Sequence, residues 1–110
     1  MFEYLPSQTC PLTVDVHSSS TATLLVVVGE IDLGTVPLLE EAITEAMDRN
    51  APRVELDLSG VSFADSSALS AIMRVRRDAG SRLVVGRCSD TVERLFEITG
   101  VNPLLGRVQH

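Results

Sequence analysis

Two hydroxyls and a carboxylate stand side by side at Asp65-Ser66-Ser67, where a strand-like pattern gives way to a helical one. A hydroxyl at the start of a helix lies close to backbone N–H groups that have no partner within the helix. Such a residue can simply cap the helix. It can also carry a phosphoryl group, whose charge would meet the positive end of the helix dipole. Both roles are compatible with these residue types at this position. Other chemistry is poorly supplied. The chain has no lysine, so Schiff-base and Walker-type roles are missing. His17 and His110 are far apart in sequence, and no metal-spaced cluster surrounds either. A Ser-His-acid triad would have to use one of these two histidines, both of which read as surface residues. No Gly-x-Gly-x-x-Gly or Gly-x-x-x-x-Gly-Lys occurs. No cofactor or metal is expected, and an enzyme is not the expected reading.

The elements that must position Ser66 can be read from periodicity. Val54, Leu56 and Leu58 alternate with Glu55 and Asp57, the period of a strand with one buried face. Ser59-Gly60 reads as the break that ends it. From Ala68 the period turns helical, with Ala68, Ile72, Val75 and Ala79 on one stripe, and Gly80 stops the helix. Leu69 and Met73 flank that stripe. They read either as peripheral core or as an exposed apolar contact for a partner, with Leu69 the stronger candidate because it is nearer Ser66.

Upstream, residues 1–10 form a loose lead-in. Leu12, Val14 and Val16 alternate as a first strand, and a polar turn joins it to a second, Thr23–Gly29. The short connection implies an antiparallel hairpin. The second strand is so apolar that it should be central, with cover on both faces. Gly29-Glu30-Ile31-Asp32-Leu33-Gly34 reads as a loop, and its acidic pair is either a solvated turn or part of a site. A helix follows from about Thr35, with Pro37 in its first turn and Leu39, Ala42, Ile43, Ala46 and Met47 on its inner face. Leu83–Val85 is a fourth strand. Asp90 opens another helix, with Glu93 close to a capping-box position and Gly100 as its stop. Leu104–Val108 is a candidate last strand. Strand-helix alternation after the hairpin implies parallel strands joined by right-handed crossovers. The fold class is therefore α/β, a single domain over 1–110 with a mixed sheet.

Composition bounds the partners. At 110 residues and 45% hydrophobic, the chain can bury one aliphatic core. A net charge of −6 argues against nucleic acid and anionic membrane, both of which select basic patches. The start lacks a basic n-region and a long apolar run, and the longest apolar stretch is far too short for a membrane span. A cytoplasmic location is expected. Cys10 and Cys88 are too few for a disulfide framework and read as two free thiols, unless the fold brings them within reach.

Five blocks in order resemble one family: Gly-Glu-Ile-Asp at 29–32, the Thr35-Val-Pro-Leu-Leu-Glu helix start, Leu-Asp-Leu-Ser-Gly-Val-Ser-Phe at 56–63, Asp65-Ser66-Ser67-Ala68-Leu69, and Leu95-Phe-Glu-Ile-Thr-Gly-Val. Together they resemble the STAS-domain anti-sigma factor antagonists of bacteria. The resemblance implies a mixed sheet with helices packed mainly on one face. It implies that Ser66 is the phosphate acceptor and that Ser67 is a first-turn neighbour. It places Glu30, Asp32, Asp65, Ser67, Leu69 and Met73 at the partner-binding end. The implied partners are an anti-sigma factor that is also a serine kinase, and a serine phosphatase that resets the switch. ATP and Mg²⁺ would belong to the kinase. The unphosphorylated form would bind the anti-sigma factor and free sigma; phosphorylation would break the complex. Ala68 stands where the family has Gly, and the chain ends soon after Leu105, where many members continue into another helix. A rival reading is a STAS scaffold or ligand-sensing module, never phosphorylated, within a signalling or transport-linked assembly.

Overall fold

The structure is a computed structural model that describes residues 11–101. The proposed lead-in, the strand at 104–108, Cys10 and His110 lie outside the described residues. The order is β1 (Leu12–Ser18), β2 (Thr23–Ile31), α1 (Val36–Asp48), β3 (Val54–Ala64), α2 (Ser66–Ala79), a single 3₁₀ turn (Gly80–Arg82), β4 (Leu83–Cys88) and α3 (Asp90–Thr99). The four strands make one sheet in the order β1-β2-β3-β4. β1 and β2 are the expected antiparallel hairpin, while β2, β3 and β4 run parallel.

Both parallel crossovers step in the same direction across the sheet, so right-handed connections put α1 and α2 on one face. There they pack against each other and against the strands. Leu25, Val27, Leu39, Ile43, Val54, Leu56, Ala71, Ile72, Leu83 and Val85 fill the space between, all fully buried or within 1% of it. Burying side chains of this kind is worth roughly 1.5–3 kcal/mol each, which makes this layer the main stabilising feature. α3 packs beside β3 and β4 and adds Val92 and Phe96 to the same core.

Three expectations need correction. β2 is central, but it is covered on one side only: Leu25 and Val27 are buried, whereas Val28 on the other face is 46% exposed. A run of branched apolar residues also suits a strand with one partly open face, so the pattern could not fix the number of covered faces. Ser59-Gly60 does not end β3. Asp57 Oδ1 accepts from the Ser59 N–H at 2.9 Å and from its hydroxyl at 2.6 Å, and this local loop of bonds shifts the register while the strand continues to Ala64. Gly60 is needed inside that irregularity, because a Cβ there would come within 2.9 Å of Val28 Cγ2. Finally, α3 is capped by Ser89, whose Oγ accepts from the Val92 N–H at 3.3 Å, so Asp90 and Glu93 form no capping box.

Candidate functional site

The extra length of β3 is what builds the site. Beyond Gly60 the strand still pairs with β2, matching Glu30 with Phe63 and Ile31 with Ala64. Glu30 is therefore a strand residue and not part of a loop. The chain then crosses from both strands into helices at the same end of the sheet, and the Asp65 N–H donates to the Ile31 carbonyl at 3.3 Å across the two junctions. The Gly-Glu-Ile-Asp segment and Asp65-Ser66-Ser67 are thus side by side.

On the β2 side, Asp32 organises the turn into α1. Its Oδ1 accepts from the Gly34 N–H at 2.9 Å and the Thr35 N–H at 3.0 Å. Thr35 is buried, and its hydroxyl donates to the Glu30 carbonyl at 2.7 Å. It also accepts from the Asp32 N–H at 2.9 Å. Asp32 is held by its own loop and is half-buried, while Glu30 is exposed. Leu33, at the crest of the turn, is 78% exposed.

On the β3 side, Asp65 is the N-cap of α2, in an extended conformation (φ −116°, ψ −170°). Its Oδ1 accepts from the Ser67 N–H at 2.9 Å and from the Ser67 hydroxyl at 2.5 Å. Hydrogen bonds from the Ser67 side chain first, then from backbone N–H groups, lower the Asp65 pKa against a smaller opposing effect of burial. Ser66 is the first residue of the helix and is exposed. Its hydroxyl makes no hydrogen bond with a described residue. The two serines are therefore inequivalent: one hydroxyl is committed to the cap and the other faces solvent.

The remaining expected site residues divide. Ala68 is 3% exposed, so its methyl lies in the core and does not obstruct the surface around Ser66. Leu69 is 9% exposed and belongs to the core, which removes it as an exposed apolar contact. The buried face of α2 is wider than the single stripe: Leu69 lies next to Ala68 and three residues before Ile72, and joins them on the inward face. Met73 is half-buried at the core edge. Sequence reasoning missed Leu33 and Phe63, the large apolar residues that are exposed at this end, at 78% and 46%. Phe63 gave no signal: two residues from buried Val61, it should share that face by a period of two, and the register shift that passes over Ser62 is visible only in the paired strands.

A groove lies elsewhere, between the later turns of α1 and α2. It measures about 470 Å³ and is floored by Met47, Val75 and Ala79. An Arg74–Glu40 ion pair at 2.9 Å bridges it. It begins about two helical turns along α2 from Ser66. Among the described residues, no three His, Cys, Asp or Glu side chains are grouped to hold a metal ion. No helix there is long and apolar enough to cross a membrane.

Comparison with known proteins agrees with this geometry. A family model described as "Mlab, STAS domain" matches residues 10–106. An anti-sigma-B factor antagonist of Staphylococcus aureus is 34% identical over 80 residues, covering 70% of this chain and 74% of the relative. One from Listeria monocytogenes is 35% identical over 82 residues, covering 72% of each. The crystal structure of an anti-sigma factor antagonist from Mycobacterium paratuberculosis superposes with a TM-score of 0.80 at 26% identity, over 87% of this chain and 84% of that one. With its four-stranded mixed sheet and the Asp-Ser-Ser corner in place, the chain belongs to the family of STAS-domain anti-sigma factor antagonists.

Proposed function

We propose that this protein is a cytoplasmic switch that, when Ser66 is unmodified, binds an anti-sigma factor with serine kinase activity and so releases a sigma factor. The kinase transfers the γ-phosphoryl group of its ATP to Ser66 Oγ; ADP leaves, and the hydroxyl proton is released. A serine phosphatase hydrolyses the phosphoserine and resets the protein. The chain acts by binding and not by catalysis.

The observation that carries this reading is the inequivalence of the two serines. Ser66 is exposed at the first helical position, with its hydroxyl unengaged, while Ser67 donates to Asp65. A phosphate on Ser66 adds between one and two negative charges beside Asp65 and close to Glu30, on a chain already at −6. The helix N-terminus tolerates that charge within the protein. A partner surface matched to a neutral hydroxyl does not, because it would have to desolvate the dianion. Glu30, Asp65, Ser67 and Met73 then border the docking surface, with Asp32 setting the shape of the adjoining turn.

The test is phosphorylation by a purified cognate anti-sigma factor kinase with radiolabelled ATP. Wild type and Ser67→Ala take up label, and Ser66→Ala does not. Equal labelling of Ser66→Ala and wild type removes Ser66 as the acceptor. Absence of both labelling and binding for wild type supports a scaffold role instead.

A further inference from the structure

β1 is the outer strand of the sheet, and its only strand partner among the described residues is β2. Among the described residues, its other edge from Thr13 to Ser18 offers a row of backbone N–H and C=O groups, which is a template for an added strand. Beside it, between β1 and α1, runs a groove of about 300 Å³ whose apolar wall is Val14, Val16, Leu38 and Ala42 and whose α1 side also carries Glu41 and Glu45. Val16 and Leu38 are left 49% and 44% exposed. On the opposite face of the same strand stand Asp15 and His17, set across from Val26 and Leu24 of β2. Both are exposed, and neither has a polar partner among the described residues.

We propose that this edge takes a second copy of the chain, β1 against β1 and antiparallel, so that two sheets join into one about a two-fold axis at Val16. The register follows from the side chains. A two-fold axis normal to the sheet keeps both helix layers on one side, so opposed residues must share a face. Pairing about Asp15 would set the two Asp15 carboxylates against each other, and like charges directly opposite are destabilising. Pairing about Val14 leaves Asp15 opposite Thr13 and sets His17 against Pro11. Pairing about Val16 places Val16 against Val16 in the groove. It also places Asp15 of each copy opposite His17 of the other. An imidazole N–H donates to a carboxylate in either protonation state of the ring, so both exposed polar groups gain a partner. An unrelated strand could meet the same backbone edge, but the apolar centre flanked by two reciprocal Asp–His pairs is self-complementary. This arrangement does not rest on the switch at Ser66.

The experiment is sedimentation velocity on the full chain from about 1 μM to about 1 mM, the range in which a pairing of this size is measurable. The expected result is a reversible rise in mass from 11.9 kDa towards twice that value. Val16→Lys and His17→Asp each weaken the dimer about tenfold or more, and Asp15→His combined with His17→Asp restores it to within about threefold of wild type. Circular dichroism on each variant shows the fold retained; His17 is exposed, so His17→Asp decides the matter even where Val16→Lys perturbs folding. A chain that stays monomeric throughout overturns the proposal. So does a dimer indifferent to His17→Asp, or a double variant no stronger than His17→Asp alone.

Discussion

Asp65 and Ser67 form a closed local pair: one carboxylate oxygen accepts both the backbone N–H of Ser67 at 2.9 Å and its hydroxyl at 2.5 Å. The pair satisfies one of the open donors at the start of α2 and leaves Ser66 between its two members, turned to solvent. A structural device and a chemical handle thus share three consecutive residues. The helix is capped by its neighbours, so Ser66 need not do it.

That cap has a pH signature. The Ser67 side-chain bond, with help from backbone N–H groups, holds the Asp65 carboxyl below its ordinary value of 3.8. A carboxylate whose pKa is depressed on folding contributes stability above its unfolded pKa, and the contribution is lost as the pH falls through the folded value. Asp65→Ala should cost about 1 kcal/mol at neutral pH, whereas Asp65→Asn, which still accepts a hydrogen bond, should cost less. Urea denaturation between about pH 6 and pH 2 checks both points: the gap between wild type and Asp65→Asn should close below about pH 4. A gap that widens on acidification contradicts this assignment.

Ser66→Asp should separate binding from folding. An acidic residue in the first turn faces the positive end of the helix dipole, so stability should stay within about 0.5 kcal/mol of wild type or rise slightly. Binding to the anti-sigma factor should weaken at least about tenfold, since the new charge must be desolvated at the interface. Isothermal calorimetry and urea denaturation on the same sample give both numbers. Weak binding accompanied by a large loss of stability would point to misfolding and not to a switch.

Leu69 and Leu33 should behave oppositely. Leu69 is 9% exposed within the core, and Leu69→Ala should cost about 2–4 kcal/mol through lost burial and the cavity left behind. Leu33 is 78% exposed beside Glu30 and Asp32, and Leu33→Ala should change stability by less than about 0.5 kcal/mol. If the partner docks at this end, Leu33→Ala should weaken binding by about fivefold or more, in line with an apolar contact at an interface. Chemical denaturation together with titration calorimetry decides. Unchanged binding in Leu33→Ala would place the contact elsewhere.

The contrast between these two leucines shows what was legible in the chain. Strand–helix order, the hairpin, the inner face of α1 and the position of Ser66 all follow from periods of two and 3.6 and from capping residues, which are local. The facing of Leu69 does not, because it depends on how wide a face of α2 is buried. The run of β3 past Ser59-Gly60 was hidden for a related reason: Ser-Gly usually signals a turn, and only the neighbouring strand shows that Gly60 makes room for Val28. The exposure of Phe63 and Leu33 was hidden as well, since it requires knowing that no element covers that end of the sheet among the described residues.

Gly29 is the position at which a single methyl should do most harm. Its φ of +123° is one that side-chain-bearing residues rarely adopt, and a Cβ there would stand 2.0 Å from the Pro11 carbonyl oxygen. That oxygen accepts the Glu30 N–H at 2.8 Å, and Leu12 pairs with Gly29, so β1 is anchored at this point. Gly29→Ala must either strain the backbone or push the start of β1 away, and the Glu30 backbone would move with it. The expected cost is about 2 kcal/mol or more, read from the denaturation midpoint. Amide exchange should show faster opening at Glu30 and through β1, with the centre of α1 protected as in wild type. A variant as stable as wild type, with unchanged exchange at Glu30, would mean that the close approach to Pro11 is not kept in solution.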